Sequence, residues 1–396
     1  MKMMIINKDY SLLWCGQLVS QLGNRIYLMA LAWYFVAVLG NGSGLFMLFM
    51  VSALPPLLFG VAIGPMVEKW NKRHTVITCD ILSGILVGIL ATAVMTGSAP
   101  EWLVYVVCFL LNTVNLFFSP SVNVMLPSIV GKDKVQKAVS YIRMVTYLGQ
   151  VMGAAVGGVL VGAIGVTAAL WVNAASFIIS AVMNMMISYT ESHPQIAKKY
   201  LDQLTDGLRY VRHNVMLATM IGIAVVCNLF LPVLIVYIPI LIKTEMGLDS
   251  IHYGIADAAM PVGAVLISLI LGKYSVKLSA LCQMAMGIGV VAVTYLLIGF
   301  APLFLVVVVA MLFYGMALNY MNVGILSFFI QNVKEDYRGR VLSLLETFSF
   351  ASVSLSYLLA NTLSEALGTL DALVINGIAL IILTISIVLI FIKQRK

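Results

Sequence analysis

The sequence has 396 residues, of which 62% are hydrophobic and 10% are charged, with a formal net charge of +7 at pH 7. A soluble globular chain carries charge on about a quarter of its residues, so this composition excludes a soluble enzyme and indicates a protein whose solvent is lipid. The Lys and Arg residues lie in short segments between apolar runs rather than in one patch, which indicates membrane topology and argues against nucleic-acid binding.

Apolar runs follow one another from Tyr10 to Ile392, and each can cross the hydrocarbon core, which requires about 20 helical residues. The alternation typical of a membrane β-barrel is absent from the sequence. The predicted fold class is therefore an all-α membrane protein with twelve transmembrane helices in two six-helix bundles. The predicted spans are residues 10–38, 43–67, 75–97, 102–130, 138–164, 166–190, 215–242, 252–272, 279–299, 302–330, 341–364 and 370–392.

One long polar stretch divides the spans into two groups of six. We predict an N-terminal bundle over residues 1–190, a cytoplasmic amphipathic linker over 191–214 and a C-terminal bundle over 215–396. Within the linker, apolar residues recur at helical spacing between charged ones. Positive charges alternate from loop to loop, and the positive-inside rule places both termini in the cytoplasm.

The loop between predicted spans 2 and 3 reads Gly-Pro-Met-Val-Glu-Lys-Trp-Asn-Lys-Arg over residues 64–73. It resembles the major facilitator superfamily signature G-x-x-x-[DE]-[RK]-x-G-[RK]-[RK], with Asn71 in place of glycine. Asparagine tolerates a positive φ better than most residues, so we expect the turn to be kept. The resemblance implies a conformational gating motif, and the alternative is an ordinary positively charged loop. The gating residues would be Gly64, Glu68, Lys69, Lys72 and Arg73.

Predicted span 5 contains glycines that share one helix face. Residues 149–158 read Gly-Gln-Val-Met-Gly-Ala-Ala-Val-Gly-Gly and resemble the antiporter signature G-x-x-x-G-P-x-x-G-G, with Ala154 in place of proline. Small residues at this spacing let a neighbouring helix approach closely, so generic helix packing is the alternative. The antiporter-like residues are Gly149, Gly153, Gly157 and Gly158.

Three further segments, residues 118–128, 206–212 and 336–341, resemble the drug-efflux branch of the superfamily and, within it, macrolide-efflux and enterobactin-export proteins. The resemblance thus runs along nearly the whole chain. It implies the major facilitator fold, a bacterial cytoplasmic (inner) membrane and export of a small molecule. One departure is that predicted span 4 lacks the arginine that many proton-coupled drug antiporters carry there.

Ionisable residues inside the spans are costly in lipid and are functional candidates by default. Arg25 lies midway along predicted span 1, one turn from Gln21, and fits either a substrate or coupling role or a structural ion pair. The other coupling candidates could instead snorkel or pair at helix ends. They are Asp257 near the outer end of span 8, Glu346 near the inner end of span 11 and Asp80 near the inner end of span 3.

In the family, the first helix of each three-helix unit lines a central cavity, which here means spans 1, 4, 7 and 10. These spans carry polar but mostly uncharged side chains, and the chain has 23 Met and 17 Phe, which suits a bulky, mostly apolar ligand. The substrate-cavity candidates are Gln17, Gln21, Asn112, Asn115, Ser119, Asn228, Tyr237, Tyr314, Asn319 and Tyr320.

The first functional hypothesis is a secondary active exporter of amphipathic small molecules, working as a proton-coupled antiporter by alternating access. The second is a dedicated exporter of one metabolite, such as a siderophore or a lipid-like product, with Arg25 holding an anionic group. A membrane enzyme or receptor has no supporting constellation of catalytic residues. The partners expected are the substrate, the proton and the lipid bilayer, with no nucleic acid, no metal, no cofactor and a monomeric state.

Overall fold

The computed structural model describes residues 6–189, 208–273 and 278–395. Within these ranges every regular element is a helix, which confirms the all-α fold class predicted from composition. Twelve α-helices of these ranges are labelled α1 to α12 in chain order, while a short helical segment over residues 208–212 is left unlabelled. The labelled helices do not correspond one to one with the twelve predicted spans.

In the first half of the chain, two predicted spans form one continuous element. Gly165, with φ at 82°, interrupts the helical geometry of α5 at the boundary predicted between spans 5 and 6. A side chain would strain this conformation, so glycine permits the sharp change of direction. The helices are α1 Lys8–Trp33, continued by a π-helix over Tyr34–Val38, α2 Gly42–Lys69, α3 Lys72–Met95, α4 Glu101–Val130 and α5 Val135–Met185.

In the second half, predicted span 7 is not one helix. The expectation of a continuous helix over 215–242 is wrong, because α6 ends at Cys227 and α7 begins at Leu234. The intervening residues 228–233 form turns and include Pro232. The helices are α6 Val215–Cys227, α7 Leu234–Ile240, α8 Ser250–Lys273, α9 Ala280–Phe300, α10 Phe304–Asn332, α11 Glu335–Leu367 and α12 Thr369–Arg395.

Nine helices of the described part of the chain are long and apolar enough to cross a membrane, and one of them is the bent α5. These bounds are consistent with twelve spans, a number that stays a prediction. Residues 191–207 of the predicted linker lie outside the described residues, and residues 208–212 are helical, so the boundaries of the linker stay predictions.

Contacts between Cα atoms divide the chain into two compact units. Unit 1 comprises Met1–Val38 and Val51–Tyr200, and unit 2 comprises Leu39–Met50 and Leu201–Lys396. The first residues of α2 therefore pack with unit 2, where the Phe46 ring contacts the Tyr237 ring edge-on at 5.3 Å between centroids. The sequence did not predict this assignment of residues 39–50.

Asn71 has a different role from the one expected. Its φ is −67°, and within the described residues no position other than glycine has a positive φ. Instead, Asn71 caps α3: its side-chain oxygen accepts from the His74 N–H at 3.0 Å, and its carbonyl accepts from the Thr75 hydroxyl at 2.9 Å. At the position of the signature's glycine, asparagine thus supplies an N-cap, which satisfies an otherwise unpaired backbone donor.

We therefore predict that Asn71→Ala destabilises the protein by about 1 kcal/mol, since alanine cannot accept the His74 N–H. Asn71→Ser keeps a capping oxygen and is the matched control. Thermal unfolding of the purified protein in detergent is the measurement. Equal melting temperatures for Asn71→Ala and Asn71→Ser would show that the cap does not stabilise α3.

Candidate functional site

In unit 1, the glycine face of α5 packs against the polar face of α1. A Cβ atom added at Gly153 would lie 2.6 Å from the Arg25 Cβ and 3.0 Å from the Leu22 carbonyl oxygen. One added at Gly149 would lie 2.8 Å from the Gln21 Cβ. Real Cβ atoms do not approach other atoms this closely, so the two helices meet at a distance that only glycine allows.

The close contact between α1 and α5 continues along both helices at four-residue spacing. A Cβ at Gly157 would lie 3.1 Å from the Met29 sulfur, and Gly158 is buried beside it. Gln17, earlier on the same face of α1, is also buried, whereas Arg25 is half-buried. The structure thus brings together two sets of residues that the sequence predicted separately, and the α5 glycines fix the position of the stem of Arg25.

The predicted gating loop joins α2 to α3, and its described side chains bond to backbone. Lys72 is buried, and its ammonium donates to the Trp70 carbonyl at 2.8 Å. Arg73 donates from Nη2 to the carbonyl of Met185, the last residue of α5. The Trp70 ring stacks on Phe117 of α4 with 5.3 Å between centroids. Gly64, Glu68 and Lys69 lie in the final turns of α2, and their side chains lie outside the described part.

Asp80 of α3 is 2% exposed and is held by the second half of α5. Its carboxylate accepts from the Ser180 hydroxyl and from the Asn184 amide, each at 2.8 Å. A buried charge needs such partners, so Asp80 joins two helices within unit 1. The sequence analysis missed both partners, although a polar stripe of buried residues at helical spacing signals them: Asn173, Ser176, Ser180 and Asn184.

The cavity candidates on α4 divide into two kinds. Asn115 and Ser119 are exposed one turn apart, as expected for a face that lines a water-filled space. Asn112 is half-buried, and its amide donates to the Cys108 carbonyl of its own helix at 2.9 Å.

Two cavity candidates in unit 2 are engaged with neighbouring helices. The Asn319 amide of α10 donates to the Ala264 carbonyl at 2.7 Å and to the Ser268 hydroxyl at 2.6 Å, both on α8. Tyr237 is fully buried, and its hydroxyl donates to the Ala360 carbonyl of α11 at 3.2 Å.

The remaining candidates in unit 2 differ in exposure. Tyr320 is half-buried on α10. Of the two carboxylates, Asp257 of α8 is 3% exposed, whereas Glu346 is on the exposed surface of α11.

The break between α6 and α7 is held by two tyrosines from other helices. The Tyr314 hydroxyl of α10 donates to the Leu231 carbonyl at 2.6 Å. The Tyr295 hydroxyl of α9 lies 2.7 Å from the Phe230 carbonyl and accepts from the Leu234 N–H at 2.8 Å. The side-chain hydroxyls therefore replace helical partners that the break removes, as irregular backbone at membrane depth requires.

A cavity of about 230 Å³ lies beside this break, entirely within unit 2. Asn228 and Tyr314 were predicted to line a cavity, and both line this one. Asn322 of α10 and Ser349 of α11 add polar atoms, and the lining has no Asp, Glu, Lys, Arg or His. Among the described residues, no group of three or more His, Cys, Asp or Glu could hold a metal ion.

The fold and the site can be compared with known proteins. The profile of the Major Facilitator Superfamily matches residues 13–357 and 233–396, which together span most of the sequence. The chain belongs to the Major Facilitator Superfamily. This confirms the resemblance carried by the loop over residues 64–73, and it identifies an integral membrane transporter family.

Relatives of this major facilitator protein match it along nearly its whole length. It is 19% identical to macrolide efflux protein A of Streptococcus pyogenes over 379 residues, covering 94% of this chain and 93% of the relative. It is 23% identical to the multidrug efflux pump Tap of Mycolicibacterium fortuitum over 369 residues, covering 89% and 88%.

Solved structures show the same fold. The nucleoside transporter NupG superposes with a TM-score of 0.77 at 14% identity, over 96% of this chain and 98% of NupG. A bacterial homologue of the lysosomal transporter Spinster, in an inward-facing conformation, gives a TM-score of 0.74 at 12% identity, over 97% and 95%. At these identities the likeness shows the major facilitator fold alone.

We predict that Gly153→Ala impairs transport, because even one methyl group would collide with the Arg25 stem and separate α1 from α5. Gly222→Ala on α6 is the matched control, since a Cβ there would have no neighbour within 4 Å. The measurement is transport rate per amount of monodisperse protein purified from membranes. Wild-type transport by Gly153→Ala would show that close approach of these helices is dispensable.

Proposed function

We propose that this transporter is a secondary active exporter of amphipathic small molecules, macrolide-like or broader, that exchanges its substrate for protons across a bacterial cytoplasmic membrane. It works as a monomer with both termini in the cytoplasm. The observation that carries the proposal is that relatives covering about nine-tenths of both chains are named efflux proteins.

The chemistry of the described site supports a neutral or weakly polar ligand. The cavity beside the break offers side-chain amides and hydroxyls together with Leu231, Leu318 and Met321, and it has no fixed charge. Uncharged hydrogen-bonding groups on an apolar wall recognise amphipathic molecules, whereas a small anion requires a cationic ligand. Met side chains adapt to differently shaped ligands, which suits a broad substrate range.

The remaining predicted residues fit the parts of an alternating-access cycle. The loop containing Glu68, Lys72 and Arg73 governs exchange between inward-open and outward-open states, since its described contacts tie α3 to the end of α5. Coupling to protons falls to the ionisable residues within the spans. Asp257 is the first candidate for the proton-exchanging group because it is buried on α8, and Arg25 of α1 is the cationic candidate for coupling.

Asp80 has a different place in this proposal. Ser180 and Asn184 of α5 both donate to its Oδ2, so the part we assign to it is to keep α3 attached to α5 rather than to exchange protons. Glu346 is exposed on α11 and remains the second candidate for coupling.

Expression of the protein in a bacterial host that lacks its own efflux pumps is expected to raise the inhibitory concentration of macrolides several-fold. Expressing cells are expected to accumulate less macrolide than non-expressing cells, and a protonophore is expected to abolish this difference. A panel of macrolides, other amphipathic drugs and charged metabolites measures the breadth of export. Resistance to amphipathic drugs of several classes supports a multidrug exporter.

The matched pair of variants for this assay is Glu68→Ala and Asp371→Ala. Glu68→Ala removes the carboxylate of the gating loop and is expected to abolish resistance, whereas Asp371 is an exposed carboxylate at the start of α12 and is expected to be dispensable. Unchanged susceptibility across the whole panel, with wild-type protein present in the membrane, would contradict drug export. Movement of one charged metabolite alone would instead identify a dedicated exporter.

A further inference from the structure

Tyr295 does not line the cavity, yet it contacts the backbone that forms one of the cavity walls. It is fully buried on α9, and its hydroxyl lies 2.7 Å from the Phe230 carbonyl oxygen and 3.2 Å from that of Leu231. The same hydroxyl accepts from the Leu234 N–H at 2.8 Å. One side chain thus bridges the break, because its hydroxyl contacts the carbonyls of residues within the break and the backbone amide of the first residue of α7.

The break needs such a bridge because of Pro232. Proline has no N–H, so the Asn228 carbonyl would have no helical donor even if the helix continued, and the proline ring clashes with the preceding turn. The residues around the proline therefore form turns instead of a continuous helix, and their backbone groups need other partners because lipid offers none. Each buried group left unsatisfied is costly, so the Tyr295 hydroxyl, together with that of Tyr314, stabilises the observed conformation of residues 228–233.

That conformation sets the shape and chemistry of the cavity. Asn228, Leu231 and Pro232 of the break form one wall, Tyr314 and Asn322 of α10 form another, and Ser349 of α11 adds a hydroxyl. At about 230 Å³ the space is smaller than the 300 Å³ or more typical of sites that hold a whole drug-sized ligand. It therefore accommodates part of a larger molecule, and its amides and hydroxyls select a part that is uncharged and carries hydrogen-bonding oxygen atoms.

We propose that Tyr295 is a positioning residue for substrate recognition: by holding residues 228–233 in the turns that interrupt the helix, it keeps the Asn228 amide in a subsite for the uncharged, oxygen-rich portion of an amphipathic substrate. The inference rests on the proposed export function and adds which part of the ligand is recognised and by what means. Broken helices at mid-membrane form binding sites in transporters generally, since their free backbone and side-chain dipoles face the ligand.

The test is Tyr295→Phe in the full-length protein, with a radiolabelled macrolide as the probe. Equilibrium binding to purified protein gives Kd, and initial efflux rates from energised vesicles give KM and the maximal rate. We expect Kd and KM to rise together about tenfold, the effect of one unsatisfied buried hydrogen-bonding group, while the maximal rate per folded protein stays near wild type. A purely structural role would reduce the amount of folded protein and leave Kd unchanged.

Thr294→Val is the matched control on the same helix. Thr294 is 2% exposed, and its hydroxyl donates to the Val291 carbonyl of α9 and, among the described residues, to no group of the break. Wild-type Kd is expected for Thr294→Val. An unchanged Kd for Tyr295→Phe, with wild-type binding and export intact, would overturn the inference and leave the export function standing. A wild type that neither binds nor exports the macrolide would overturn both.

Pro232→Ala tests the same claim by a route that does not weaken the fold. It restores a backbone N–H and favours a continuous helix across residues 228–233, so the variant is expected to fold at least as well as wild type. We expect it to raise Kd as Tyr295→Phe does. If Tyr295→Phe fails to accumulate in membranes, a wild-type Kd for Pro232→Ala would by itself overturn the inference.

Discussion

The need to pair every backbone N–H and C=O inside the hydrocarbon core governs this protein. Regular helices meet it automatically, which explains why the described elements are all helical. Two interruptions of helical structure show how the chain departs from a regular helix. At Gly165 a positive φ turns the chain sharply between two predicted spans. Between Cys227 and Leu234 the interruption lies within one predicted span, and the hydroxyls of Tyr295 and Tyr314 replace the missing helical bonds.

The need to pair backbone groups also affects where the functional groups lie. The described cavity lies beside the second interruption, where the backbone and amides such as Asn228 face a space within unit 2. In unit 1 the polar face of α1 is brought against α5 by glycines, so Arg25 is held on a close helix pair rather than on a loop. Asp80 accepts two hydrogen bonds from α5 within unit 1 and thereby joins α3 to α5. Polar residues in these spans thus divide into those that join helices and those that face a cavity.

Much of the fold was predictable from the sequence, because apolar length and loop charge are local properties. The boundary near Gly165 was predicted correctly, whereas the break after Cys227 was not. The run 215–242 is mostly apolar, and hydropathy does not distinguish a broken helix from a continuous one. The run contains two prolines, and the helix is broken at Pro232 but continues through Pro239, so proline alone did not locate the break. Tyr295 lies 61 residues from Leu234, and no sequence pattern joins them. Asn71 shows a related limit: its replacement of glycine was noted, but its role as an N-cap required the backbone geometry.

The most direct test of this account is a structure of the full-length protein determined with a bound macrolide. The account predicts that an uncharged, oxygen-bearing part of the ligand lies within hydrogen-bond distance of Asn228 or Asn322, with residues 228–233 non-helical and Tyr295 bonded to Leu234. A ligand bound without contact to residues 224–235, or a continuous helix across residues 228–233 in the complex, would contradict it.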